Sequence, residues 1–128
     1  MATKITNGVC VSVIAEYQKE YSSPLQQHFV FTYRVRIENH SDATVQLLRR
    51  YWYIFDANGT TREVEGEGVV GQKPILEPGE THEYVSGSNL KTEMGKMRGT
   101  YLMEKVMTGQ RFSVDIPEFL LIAPQKLN

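Results

Sequence analysis

Phe29-Val30-Phe31-Thr32-Tyr33-Arg34-Val35-Arg36-Ile37-Glu38 is the stretch on which the fold class turns. Phe29, Phe31, Tyr33, Val35 and Ile37 take every second position, with Thr32, Arg34, Arg36 and Glu38 between them. A period of two belongs to an extended strand with one face in the core and one in solvent. Val9, Val11, Val13, Ala15 and Tyr17 repeat the pattern, with Ser12 and Glu16 turned the other way. No helix gathers those residues into one stripe.

Working outward, Val45 to Phe55 is apolar on both faces near its end, which predicts a central strand interrupted by a bulge around Leu48 to Arg50. Asp56-Ala57-Asn58-Gly59 supplies turn chemistry, and Thr60 to Glu65 reads as the returning strand. Glu77-Pro78-Gly79-Glu80 is a second turn, followed by a short strand over Thr81 to Ser86. Gly99 to Met107 and Arg111 to Ile116 form a hairpin across Thr108-Gly109-Gln110. Pro117 is expected to stop that strand, leaving Phe119 to Ile122 as a brief edge strand. Leu90, Met94 and Met97 have helical spacing, but Gly87, Gly95 and Gly99 break it up. The expectation is therefore an antiparallel β-sandwich of about seven or eight strands, of the immunoglobulin or fibronectin type III-like kind, with Trp52 in its core. One domain over 1–128 is expected, with frayed ends at about 1–6 and 124–128.

The chain has 128 residues, enough for one core, and its formal net charge is −1. That balance lacks the basic excess of a dedicated nucleic-acid binder. Cys10 is the single cysteine, so an internal disulfide is excluded and a reducing, cytoplasmic setting is expected. It is read as a small hydrophobe among valines. Neither a signal peptide nor a stretch of about 20 apolar residues is visible, so no membrane association is expected.

Gly66-Glu67-Gly68-Val69-Val70-Gly71 matches the glycine spacing of dinucleotide-binding loops. That chemistry needs a helix after the loop, and Gln72-Lys73-Pro74 followed by Ile75-Leu76 does not supply one. Glu63, Glu65 and Glu67 would also repel phosphate. The reading preferred here is positive φ or close backbone approach. Gly66, Gly68, Gly71 and Lys73 remain the candidate anion-binding set.

The combination of motifs is specific. Val64 to Pro74, Leu76-Glu77-Pro78-Gly79-Glu80, Tyr84-Val85-Ser86-Gly87, Phe31 to Asn39, Leu48-Arg49-Arg50-Tyr51-Trp52, Gly95 to Tyr101 and Phe112 to Pro117 together resemble the ApaG family across nearly the whole chain. The resemblance implies a fibronectin type III-like sandwich, usually a stand-alone bacterial protein. Related domains in eukaryotic F-box proteins and in a DNA-polymerase-delta-interacting protein imply a role in protein interaction. The bacterial gene commonly neighbours a diadenosine tetraphosphate hydrolase and is linked to cobalt and magnesium tolerance. The resemblance carries over no catalytic residues.

The residues themselves suggest no enzyme. His28, His40 and His82 fall in no recognisable catalytic signature, although His82 alternates with Glu80 and Tyr84 toward one face. One cysteine and scattered histidines argue against a structural zinc site. Glu63, Glu65 and Glu67 share a strand face, but about 7 Å separates neighbours, too far to chelate one ion unaided. No metal and no cofactor are therefore expected. Arg34 and Arg36 face away from the core stripe, and Arg49, Arg50 and Tyr51 extend a basic area, a composition favoured in contact surfaces. The expected partner is another protein. A nucleotide or pyrophosphate sensor centred on the glycine segment is the alternative, and exposed edge strands leave a homodimer open.

Overall fold

The structure, a computed structural model, describes residues 1–124. Among the described residues there are nine strands: β1 (Ala2–Thr6), β2 (Val9–Tyr17), β3 (Phe29–Asn39), β4 (Val45–Asp56), β5 (Thr61–Glu67), β6 (Ile75–Leu76), β7 (Thr81–Leu90), β8 (Met94–Lys105) and β9 (Arg111–Ile122). The first sheet runs β1-β2-β3-β7, the second β5-β4-β8-β9 with β6 paired to β4. Every pairing is antiparallel. The sandwich is thus the expected one. The fourth long strand, β5, stays beside β4, unlike the constant-type immunoglobulin order, where the corresponding strand joins the first sheet.

The alternating stripes become the core. Val9, Val11 and Val13 of β2 and Phe31, Tyr33, Val35 and Ile37 of β3 face Leu47, Trp52 and Ile54 of β4, Met97, Tyr101 and Met103 of β8, and Val114, Phe119 and Leu121 of β9. Tyr33, Trp52 and Phe119 form a ring cluster with centroids 5.2–5.9 Å apart, in the edge-on and tilted geometries that aromatic quadrupoles favour.

β4 contains its bulge, a register shift against β8 between Leu47 and Arg49. Val45 and Leu47 point inward before it, Trp52 and Ile54 after it. The bulge reverses the phase of the strand, which is why its sequence looks apolar on both faces. It also turns Arg50 toward the interior side and Arg49, Tyr51, Tyr53 and Phe55 toward the outside.

Three expectations are corrected. Residues 2–6 are not frayed; they pair with β2 and lock β1 onto the edge of the other sheet. There Lys4 Nζ lies 2.9 Å from Asp115 Oδ2, the Asp115 amide donates to Thr6 Oγ1, and Asn7 Nδ2 donates to the Ser113 carbonyl. Pro117 does not end β9, because a register shift between Met97 and Gly99 of β8 places it in a bulge on an edge strand. Neither position requires a donor from proline. The strand after the Pro78-Gly79 turn extends to Leu90, and β8 starts at Met94, so Gly87, Gly95 and Gly99 lie inside strands. Residues 125–128 of the expected carboxyl-terminal fraying lie outside the described residues.

The two sheets are also joined by polar groups. The phenols of Tyr84 (β7) and Tyr101 (β8) hydrogen-bond to each other in the interior. Burial pushes both phenols up, Tyr101 well above the ordinary tyrosine value; it raises Tyr33 as well, against the opposing pull of a Ser86 hydrogen bond and Arg50. A raised native pKa means the folded state holds protons that the unfolded state releases near pH ~10. The stability from this network is therefore full below that pH and falls as pH rises toward the native values. Cooperative alkaline unfolding is expected, with phenolate absorbance from these three rings appearing only together with loss of the near-ultraviolet circular dichroism. Their ionisation in a protein that keeps its native dichroism would contradict this.

Candidate interaction face

Directly paired residues of antiparallel strands share a sheet face, so the register maps the outside of the second sheet. Tyr51 lies between Glu65 of β5 and Thr100 of β8, Tyr53 between Glu63 and Arg98, Phe55 between Thr61 and Lys96, and Arg49 between Glu67 and Leu102. Three columns result: acidic on β5, aromatic on β4, basic on β8. Neighbouring columns are about 4.8 Å apart.

The aromatic rings are half-buried because cations lie across them. The Arg98 guanidinium sits 5.0 Å from the Tyr53 centroid and 5.6 Å from that of Phe55. Lys96 is 5.5 Å from Phe55 and Arg49 is 5.9 Å from Tyr51. These distances fall in the cation–π range, and the contact holds each long side chain flat on the sheet. Lys96 is also 3.5 Å from Glu118, and Lys73 is 3.6 Å from Glu67. Among the described residues, Arg49, Arg98, Glu63 and Glu65 have no ion-pair partner. A shallow depression beside the rings is lined by Tyr51, Tyr53, Glu63, Val64 and Glu65.

The five residues expected to form one basic surface are separated by the fold. Arg34 and Arg36 are exposed on the outside of the first sheet, where Arg36 is paired with Glu38 at 2.6 Å and with Glu83 at 3.7 Å. Arg49 and Tyr51 lie on the outside of the second. Arg50 points inward through the bulge, and its Nη1 donates to the carbonyls of Glu67 and Gly68, both at 3.0 Å. Sequence reading missed Tyr53, Phe55 and Arg98. The alternation of Tyr51, Tyr53 and Phe55 was visible, but its direction depends on the bulge, and Arg98 reaches it only through strand pairing.

The glycine segment is a hairpin. Val69 and Gln72 exchange backbone hydrogen bonds of 2.8 and 3.0 Å, and Val70 and Gly71 between them have φ of +47° and +76°, the type I′ arrangement. Val69 is buried and plugs the core, while Val70 projects into solvent. Gly68 has φ +63°, and a Cβ there would lie 2.2 Å from the Gln72 carbonyl oxygen. Gly66 makes room for the Arg50 guanidinium. The segment thus gathers carbonyl oxygens onto an arginine, and Lys73 leans on Glu67. No helix follows.

The histidines are spread out. His28 is exposed at a backbone bridge to Ser23 just before β3, and His82 lies beside the Tyr84 ring, its centroid 6.3 Å away. His40 is different: its Nε2 is 2.8 Å from Glu38 Oε2, and that hydrogen bond, together with Arg36, holds the Glu38 carboxyl below the usual carboxylate range. Cys10 lies in the same cluster, one ligand atom from each of Cys10, Glu38 and His40 falling within 4.8 Å of the others.

The ApaG domain model matches residues 19–105. Protein ApaG of Paramagnetospirillum magneticum is 48% identical over 126 residues, covering 98% of this chain and 96% of its own length. Protein ApaG of Anaeromyxobacter dehalogenans is 48% identical over 128 residues, 100% of both chains. A crystal structure of a Bordetella pertussis protein designated ApaA is similar at 46% identity, with a TM-score of 0.87 over 97% of each chain. No helix among the described residues is long and apolar enough to cross a membrane.

Proposed function

The chain belongs to the ApaG domain family, and from that premise we propose that it is a non-catalytic protein-interaction module whose contact surface is the outer face of β5, β4 and β8. One observation carries the reading: a row of three aromatic rings on β4 with Arg98 and Lys96 of β8 on one side and Glu63 and Glu65 of β5 on the other, Arg98 and both glutamates lacking an ion-pair partner among the described residues. Tyrosine and arginine are the residues most enriched at the energetic centre of protein interfaces. The acidic column selects among partners. Aromatic rings with arginine also suit single-stranded nucleic acid, but phosphates tracking along Tyr51 to Phe55 would pass beside Glu63, Glu65 and Glu67. A protein surface with basic residues against β5 and acidic ones against β8 meets both columns favourably.

Capture of a specific partner from extract of the parent cells tests the reading. Tyr53→Ala and Arg98→Glu are expected to weaken the captured complex by about 30-fold or more, the effect of losing one hot-spot contact of about 2 kcal/mol. Arg34→Glu, on the opposite sheet, should leave it intact. Capture that survives both substitutions on the second sheet and is lost with Arg34→Glu would move the contact surface to the first.

A further inference from the structure

The first sheet carries an unrelated cluster. In the pairing of β2 with β3, Cys10 stands directly opposite Glu38. One residue beyond the end of β3 the chain is held by the His40 amide donating to the Gly8 carbonyl at 2.8 Å, and the ring turns back onto Glu38. One atom from each residue, the Cys10 sulfur, a Glu38 carboxylate oxygen and a His40 ring nitrogen, falls within 4.8 Å of the other two. We propose that Cys10, Glu38 and His40 bind a single transition-metal dication of the Zn²⁺ or Co²⁺ type, with a fourth position open to solvent.

The ligand set decides the class of ion. Thiolate and imidazole favour zinc-like metals over magnesium and calcium, which prefer all-oxygen shells. Metal bonds of about 2.0–2.3 Å place tetrahedral ligands roughly 3.3–3.8 Å apart. Binding therefore needs the Glu38–His40 pair, 2.8 Å apart, to open slightly and the trio, within 4.8 Å, to draw in toward the thiol, adjustments that the exposed His40 ring supplies while the buried Cys10 stays fixed. Charge also balances, because thiolate and carboxylate together neutralise a dication. Arg36 Nε holds Glu38 Oε1 at 2.6 Å, leaving Oε2 toward His40; that is how an outer-shell partner orients a ligating carboxylate. Without metal, a hydrogen bond joins the same two atoms that the ion would bridge, so binding exchanges protons for metal. Access is from the histidine side. The Cys10 thiol is buried and free, and the His40 ring beside it is exposed.

Titration of the reduced, full-length protein with Co²⁺ tests the proposal, because a cysteine ligand gives a sulfur-to-cobalt charge-transfer band and tetrahedral coordination gives intense visible bands. One Co²⁺ per chain is expected, displaced by Zn²⁺ and not by Mg²⁺. Cys10→Ser should abolish the charge-transfer band. His40→Ala and Glu38→Gln, at positions outside the core, should weaken binding by about tenfold or more with native circular dichroism retained. Absence of the band with Co²⁺ in excess would overturn the site. So would a band of unchanged affinity in both latter variants, which would mean that the thiolate binds alone, or displacement by Mg²⁺.

Discussion

Replacing Asn39 by alanine is expected to destabilise the protein by about 3–5 kcal/mol, at the upper end of what single substitutions do. Apart from the tyrosine phenols, Asn39 is the one buried polar side chain among the described residues, with no exposed surface. Its amide nitrogen donates to the carbonyls of Ala43 at 2.8 Å and Leu76 at 2.9 Å, and its oxygen accepts from the Ser41 amide at 3.0 Å and the Ser41 hydroxyl at 2.6 Å. All the donor capacity of a carboxamide is used. Its backbone amide donates to the Glu80 carbonyl, and its carbonyl accepts from Gly79. This residue thus ties the loop after β3, strand β6 and the Pro78-Gly79 turn to one another. Alanine takes the side-chain donor from the Leu76 carbonyl and the acceptor from the Ser41 amide, while the Ala43 carbonyl keeps only the Ser41 hydroxyl at 3.1 Å. Aspartate is expected to be no better, since it keeps the acceptor side but faces the same carbonyls with a charge and no donor. The midpoint of urea unfolding measures both. A loss below about 1 kcal/mol would mean that the loop re-pairs its own groups around the Ser41 hydroxyl, which already contacts the Ala43 carbonyl, and that the Asn39 carboxamide is not what holds it. Because His40 follows directly, the same substitution should also loosen the cluster with Cys10 and Glu38.

How far the molecule was legible follows from which interactions are local. Period-two patterning is local, so the stripes of β2 and β3 could be read directly, and the turns at Asn58-Gly59 and Pro78-Gly79 followed from backbone restrictions of single residues. The bulge in β4 was legible as a strand that changes its apolar face. β1 was not read, because Ala2-Thr3-Lys4-Ile5-Thr6 lies on an edge and has no continuous apolar stripe; it pairs locally with β2 across Asn7-Gly8, and its side-chain ties to the other sheet reach residues more than a hundred positions away. Pro117 misled for the same reason, since its tolerance depends on which β8 residues it faces. The candidate sites depended most on register. Arg49 and Arg50 are adjacent in sequence and point to opposite sides of a sheet. Cys10 and His40 are distant in sequence and meet because Cys10 pairs with Glu38. A shift of two residues in that pairing would separate them while keeping the same faces in the core, and the apolar alternation alone does not choose between such registers.

The glycine segment offers the second large effect, and it distinguishes a structural loop from a phosphate cradle. Gly68→Ala is expected to cost about 2–4 kcal/mol, combining left-handed strain with a steric conflict that cannot relax locally. The atom in the way is the Gln72 carbonyl oxygen, 2.2 Å from the new Cβ, and that oxygen is fixed by the Val69 amide. Relief requires opening the Val69–Gln72 turn, which withdraws Val69 from the core. Gly66→Ala meets only the Arg50 guanidinium, 2.9 Å away at the end of a flexible side chain, so about 1 kcal/mol is expected from the displaced contacts to the Glu67 and Gly68 carbonyls. At Gly71 a Cβ would meet open space, leaving only the left-handed penalty of about 1–2 kcal/mol. Stability should therefore fall most sharply at Gly68. In an anion cradle the order would be set by which amides face the ligand, and the substitutions would weaken pyrophosphate binding while sparing the unfolding midpoint. Urea unfolding of the three variants, with pyrophosphate calorimetry on the wild-type chain, separates the two outcomes. Wild-type stability in Gly68→Ala would remove the tight backbone approach as the reason for glycine there.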